Sequence, residues 1–506
     1  MHITGLPSSP RFPHYWVQAA VSARHLRVLF LQLERSADRS AVIPPGASGG
    51  SGFPGTLRRW LMAVGLFGPG WLMREAEISM TRSRLNSGEL SLIPFQNIAI
   101  GILSFPSIFM RLGMVGGVIT TVGLGILAYI MCWIQCDFKL RHMGVMHFGD
   151  AGGVMFGKWG ARIFGWGMVM KSMGLAGSHI LGGQTAISSI SDHAICLVWF
   201  GFFMFIASVV LSYDREWHKM WWMCFVSLTC IFTASIITMA ATGHQNPNIL
   251  TKGGAPIKWH AFVQEPTLMD VVGAFTNILF GYGGNMACFS FMSEMRKPND
   301  FKKSFAMSQT IVCCSYLIVG GVIYSYGGQY TTSPALTMGS HTVRIIAYSF
   351  ALVTILVSGV LGANVGAKYM YINTLRNSHL LTSKSWKAWG IWMLMVVIMW
   401  VVGFIVAELI PFFNALLTII SALFSVWFIC GAAGMLFLYD NLPALGKYAK
   451  DPKPRDMKGF KKKFFLACSI LSLIISLAMT PLGLYSAIQT IIDGYRDGIF
   501  DHPFAC

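Results

Sequence analysis

Charge is scarce in this sequence: Asp, Glu, Lys and Arg together make up 12% of 506 residues, and only 21 residues are acidic. A soluble domain carries about 25% charged residues, so a soluble globular protein is excluded. HExxH and paired acids of the kind that intramembrane metal catalysis needs are also missing. Nothing therefore points to an enzyme. Repeated charge rings and filter loops, the marks of a channel, are absent too. The chain has no N-x-[ST] acceptor site, and its eleven cysteines show neither a disulfide framework nor metal-ligand spacing. Most of them, including Cys132, Cys136, Cys288 and Cys430, fall inside apolar runs and read as small packing residues.

What is present is apolar: 54% hydrophobic residues, 13% aromatics and 53 glycines, the composition of a polytopic membrane protein. The net charge of +17 does not signal nucleic acid, because Lys and Arg lie between apolar runs rather than in one patch. Uncharged runs of about 20 residues define eleven expected spans, at 90–110, 113–136, 160–187, 194–212, 220–241, 269–295, 304–327, 343–371, 386–407, 409–438 and 464–492. With a cytoplasmic N-terminus, the inner loops hold twenty Lys and Arg and the outer segments four. That asymmetry follows the positive-inside rule. Residues 1–85 contain the Pro/Gly/Ser-rich stretch Ala41 to Gly55 and read as a disordered cytoplasmic tail ahead of a transmembrane domain at 86–495, with a short C-terminal tail at 496–506.

Two spans carry helix-breaking residues at their centres. In the first, Gly101 and Pro106 bracket Ile102, Leu103, Ser104 and Phe105, and Pro106 removes a backbone donor and crowds the carbonyl four residues earlier. The sixth contains LFGYGGNMACF, Leu279 to Phe289, with Gly281, Gly283, Gly284 and Asn285. Each of these glycines weakens a helix by about 1 kcal/mol relative to alanine. Both helices are expected to open. The breaks lie five spans apart, so two repeats of five enter the membrane in opposite senses, the layout of an inverted-repeat transporter. Unwound backbone at membrane depth is tolerated only where it is buried in protein or lines a cavity. Half-helix N-termini favour a carboxylate and free carbonyls an ammonium, and an amino acid carries both.

GILSFP with RLGMVGGVI (Gly101 to Ile119), GSHIL (Gly177 to Leu181), FGYGGNMACFSFMSEMRKPNDFKKS (Phe280 to Ser304), GGQYTTSPAL (Gly327 to Leu336) and GAKYMYI (Gly366 to Ile372) resemble the amino acid/auxin permease family, nearest its fungal neutral amino-acid permeases. The resemblance covers about residues 85 to 495. It implies a LeuT-type fold with about eleven spans and discontinuous first and sixth spans. It also implies secondary active amino-acid uptake driven by protons, with substrate against Gly101 to Phe105 and against Phe280, Gly281, Tyr282, Gly283, Gly284 and Asn285. The first eighty residues and the polar SGELSLIPFQN, with its extra Pro94, depart from the family pattern.

Charged and titratable groups within spans are costly and mark function. Lys171 lies well inside the third span, where it either snorkels to the cytoplasmic side or replaces a coupling cation. His179, two turns on, has the titration range that proton coupling needs. Glu294 closes the sixth span beside Arg296 and Lys297, as an ion pair or a gate. Thr354 and Ser358 share a face of the eighth span and could ligate a cation with first-span carbonyls. Glu408 and Lys368 read as span-end residues. Phe105, Phe280 and Tyr282, with no acid at mid-span, favour neutral, apolar or aromatic substrates. The reading is a carrier importing neutral amino acids by proton symport at the plasma membrane, with the lipid bilayer and a small-molecule amino acid as partners and no cofactor beyond the coupling ion. A vacuolar carrier, a sodium-coupled carrier and a non-transporting nutrient receptor stay open.

Overall fold

A computed structural model describes residues 101–506 except 193, 216–220, 245–255, 296–297, 377, 382, 384, 411, 442–458 and 497–506. The expected N-terminal tail, Pro94, Pro411 and most of the C-terminal tail lie outside the described residues. Every regular element among the described residues is helical. In chain order these are α1 (Gly101–Leu112), α2 (Met114–Arg141), α3 (Phe148–Ile190), α4 (Leu197–Leu211) and α5 (Trp221–His244). Then come α6 (268–294, in two parts), α7 (Phe301–Gly327), α8 (His341–Leu375), α9 (Trp386–Leu409), α10 (Phe413–Asn441) and α11 (Phe460–Arg496). Among the described residues, seven helices are long and apolar enough to cross a membrane, and α1, α4 and the first part of α6 are shorter apolar helices. The chain is an integral membrane protein.

Several helices pack against the one five positions later, alongside other pairings such as α5 with α8 and α3 with α9. α3 packs along α8, α2 along α7 and α4 along α9. At Gly101 of α1 an added Cβ would stand 3.1 Å from the Cα of Gly281 in α6. The first four elements thus lie against their counterparts five positions later, as expected for two inverted repeats.

Three helices differ from the expected spans, each for a local reason. α3 begins twelve residues before position 160, but Gly157, at φ 65° and ψ −148°, kinks it, so Phe148 to Phe156 form a separate arm. This backbone conformation suits glycine because it has no Cβ. Within α10, Ser421–Ser425 and Trp427–Gly431 are π-helical, the wide turn that marks functional sites in otherwise regular helices. α11 turns Ser469, Ser472, Ser476, Gly483 and Ser486 inward and leaves Leu471, Ile474, Leu477 and Ile488 exposed. Small polar residues inside and large apolar ones outside is how a helix packs when its solvent is lipid. Cys196, just before α4, is disulfide-bonded, although no disulfide framework is visible in the sequence.

Candidate functional site

The sixth span breaks where its glycines predict. The first half of α6, Leu268–Gly281, ends before Tyr282, a 3-10 turn runs over Gly283–Ala287, and the second half is Cys288–Glu294. Two carbonyls of the break accept from other helices: Gly281 O from the Tyr316 hydroxyl of α7 at 2.9 Å, and Gly283 O from the Lys171 ammonium of α3 at 3.2 Å. Its polar side chains turn the other way. The Tyr282 hydroxyl donates to Thr121 O and the Asn285 amide to Ala128 O, both at 3.0 Å. These acceptors lie seven residues, about two turns, apart on α2, so Tyr282 and Asn285 brace the unwound segment. Asn285 Oδ1 is buried with no hydrogen-bond partner among the described residues, and so is Ser425 Oγ of the π-helical stretch. Ser425 Oγ and Lys171 Nζ are the atoms nearest an added Cβ at Gly283, at 3.9 and 3.4 Å. Lys171 of α3 and Ser425 of α10 thus meet the break of α6 around Gly283.

From Gly101, where the described residues begin, through Leu112 the first span is continuous helix, so no opening falls at Ile102 to Phe105. Two serine hydroxyls bond within this turn, Ser104 donating to Gly101 O at 2.9 Å and Ser107 to Ser104 O at 2.7 Å, while the carbonyl that Pro106 deprives of its helix donor is that of Ile102. α1 still meets the break. The Phe105 ring stacks on Tyr316 with centroids 3.8 Å apart, and it is the atom group nearest a Cβ added at Gly281, at 2.9 Å. Ile102, Leu103 and Ser104 are buried on the same helix, and Phe280 and Gly284 are buried beside the break.

Lys171 does not snorkel. It is 3% exposed, and no carboxylate pairs with it among the described residues. An uncompensated ammonium at membrane depth is costly, so its one carbonyl partner leaves two N–H donors for something else.

His179, Ser358 and Thr354 form a chain. His179 Nδ1 donates to Leu175 O at 2.7 Å, which fixes that nitrogen as protonated, and Nε2 lies 2.8 Å from Ser358 Oγ. Ser358 Oγ also lies 2.8 Å from Thr354 O. A neutral ring accepts the Ser358 proton at Nε2. A charged ring donates to Ser358, whose hydroxyl then turns to Thr354 O. Both protonation states are fully bonded and differ by one hydroxyl rotation. Thr354 Oγ1 donates to Ser227 O of α5 at 2.8 Å. The pair expected to ligate a cation with first-span carbonyls instead faces α3 and α5.

Glu294 ends the second half of α6, and its side chain lies outside the described residues. Glu408, read as a span-end residue, is 4% exposed and buried on α9. A Cβ at Gly201 of α4 would stand 2.5 Å from Gln184 Oε1 and 2.8 Å from Glu408 Oε1. Neither oxygen has a hydrogen-bond partner among the described residues. Sequence reasoning also missed Tyr316 and Ser425. Ser421 and Ser425, spaced i, i+4 in the apolar run SALFSVW, were the available signal.

A membrane bundle of paired, inverted helices around a broken span is a LeuT-type carrier scaffold. The structure of MhsT in complex with L-phenylalanine shares it, with a TM-score of 0.50 at 13% identity over 78% of this chain and 98% of that one. The family described as transmembrane amino acid transporter protein matches residues 93–489, and the chain belongs to that family. An N amino acid transport system protein of Neurospora crassa is 33% identical over 414 residues, 81% of this chain and 85% of that protein. A transmembrane transporter of Gibberella moniliformis is 27% identical over 417 residues, with 81% and 84% covered.

Proposed function

We propose that the protein imports neutral amino acids by proton symport, holding the substrate at the break of α6 and alternating access around it. The observation that carries the reading is the placement of Lys171 at Gly283 O, with Ser425 Oγ, partnerless among the described residues, beside the same glycine. Two spare ammonium donors suit a carboxylate, and a free hydroxyl oxygen suits an α-ammonium. The same chain of atoms that holds the break can therefore exchange partners with a zwitterion. The neutral preference rests on charge: among the described residues the buried carboxyl of Glu408 lies against Gly201 and Gln184, and no ion pair joins a carboxylate to Lys171.

Proton coupling is supported by the His179–Ser358–Thr354 chain, which takes up one proton without losing a hydrogen bond. Sodium coupling is disfavoured because Ser358 Oγ and Thr354 Oγ1 are already engaged with His179 and Ser227. The cytoplasmic N-terminus is supported by the distribution of Lys and Arg along the sequence, and the plasma membrane is the proposed location. Purified protein in liposomes is expected to accumulate a labelled neutral amino acid faster under an inward proton gradient. Uptake indifferent to the proton gradient but dependent on sodium would reject the coupling, and competition by lysine or arginine but not by neutral amino acids would reject the specificity.

A further inference from the structure

Four sulfur atoms converge where α2 meets the second half of α6. Cys132 and Cys136 are one turn apart on α2, and Cys288 and Met292 one turn apart on α6. An i, i+4 spacing places each pair on a single helix face. The three thiol sulfurs all lie within 4.8 Å of one another. Cys136 Sγ is 3.7 Å from Cys288 Sγ, and Cys288 Sγ is 3.8 Å from Met292 Sδ. All four residues are buried. No ligand spacing is visible in the sequence because 152 positions separate Cys136 from Cys288.

The geometry suits one ion. Metal–thiolate bonds of about 2.3 Å put tetrahedral or trigonal sulfurs about 3.8 to 4.0 Å apart, close to the separations present. The donor set is three thiols and a thioether, with no oxygen or imidazole. Hard cations and the mixed nitrogen–sulfur sites of zinc are thereby disfavoured, and a thioether beside thiolates selects Cu(I). Lys139, three residues beyond Cys136, and Lys302, seated on Asp137, flank the cluster and offset thiolate charge.

We propose that Cys132, Cys136, Cys288 and Met292 form a Cu(I) site that pins α2 to the second half of α6. Binding forms copper–sulfur bonds and releases the thiol protons to solvent; copper stays in the +1 state throughout, so no oxidant or reductant is consumed. The site is independent of the amino-acid substrate and adds an ion that the family reading does not call for.

The test uses the full-length protein in detergent with a phosphine reductant, titrated with Cu(I) against a Cu(I)-selective chelator, and with Ag(I) as a redox-inert probe. One equivalent is expected per chain, with an X-ray absorption shell of sulfur only at about 2.3 Å. Cys136→Ser and Cys288→Ser are expected to weaken binding at least about 100-fold and Met292→Leu about tenfold. Cys430→Ser, a buried cysteine of α10 outside the cluster, should leave it unchanged. A chelator that strips all metal, an oxygen or nitrogen shell, or equal binding by the Cys136→Ser and Cys288→Ser variants would overturn the proposal. So would a protein that loses two hydrogens to a Cys136–Cys288 disulfide and keeps no copper. The absorption spectrum is taken on the unmodified protein, so it decides even if a variant misfolds.

Discussion

The Lys171 ammonium on α3 donates to the carbonyl of Gly283, across 112 residues of chain and at a distance of 3.2 Å. It is the one charged contact to the broken turn among the described residues. Replacing Lys171 with Met keeps the length and removes the donors. The carbonyl left buried costs about 1 to 3 kcal/mol, and any carboxylate bound there loses its counter-charge. Uptake is expected to fall at least about 100-fold, the equivalent of about 2.7 kcal/mol, with the protein still in the membrane fraction. Near-normal uptake by Lys171→Met would remove the site assignment.

Glycine positions separate close packing from bystanders. A methyl group at Gly281 meets Phe105 and Tyr316 ring atoms at 2.9 and 3.2 Å, whereas nothing lies within 4 Å of a Cβ at Gly123. Overpacking of this kind costs about 1 to 3 kcal/mol. Gly281→Ala is expected to lower the initial rate of uptake about tenfold or more, and Gly123→Ala to leave it within about twofold. Equal rates for the two variants would show that α1 and the break tolerate separation.

Ser358 carries the hydroxyl that changes partners when His179 takes a proton. Ser358→Ala leaves Nε2 without its partner in either state. The variant should lose the stimulation of uptake by an inward proton gradient while exchanging substrate at equal pH, and Ser358→Thr should restore the stimulation. A gradient response that survives in Ser358→Ala would mean that protons travel elsewhere, and Glu408, buried beside Gln184, is the next residue to replace.

His147 precedes α3, with Nδ1 3.0 Å from Ser290 Oγ and Nε2 without a partner among the described residues. Burial pushes its pKa down to about 4, against a smaller opposite effect of Asp150 and with Lys368, Lys139 and Arg376 adding to the decrease. The unfolded chain titrates near 6.5 and so binds more protons between these values. The contribution of neutral His147 is therefore fully present above pH 6.5 and is lost as pH falls towards 4, by at most about 3 kcal/mol. Thermal unfolding in detergent should show this slope, and His147→Gln should flatten it. An unchanged slope in the variant would assign the acid sensitivity to other groups.

Hydropathy and the spacing of broken turns made much of the architecture readable, because membrane helices need length and apolarity, and glycines mark where a helix gives way. The break at LFGYGGN follows from local chemistry and is where it was expected. Where Lys171 points does not, since a long flexible side chain chooses between the interface and the break according to what other helices offer. Pro106 illustrates the reverse: the residue type argues for an open turn, and Gly101 to Leu112 is helix nonetheless. Thr354 and Ser358 share a face as their spacing requires, but which helix that face meets is a tertiary fact. Glu408 looked peripheral because a span's end in sequence says nothing of the depth at which neighbouring helices cover it.

The wide turns of α10 carry a consequence for how this chain tolerates change in length. A π-turn accommodates an extra residue within a helix, and each residue advances an α-helix by about 100°. Everything after Gly431 therefore owes its rotational phase to the wide turns, including Asp440, which accepts from Arg141 at 2.9 Å and sits 3.1 Å from His142 Nε2. Loss of a single codon anywhere between Ser421 and Gly431 would leave a perfectly good apolar helix whose far end faces the wrong neighbours.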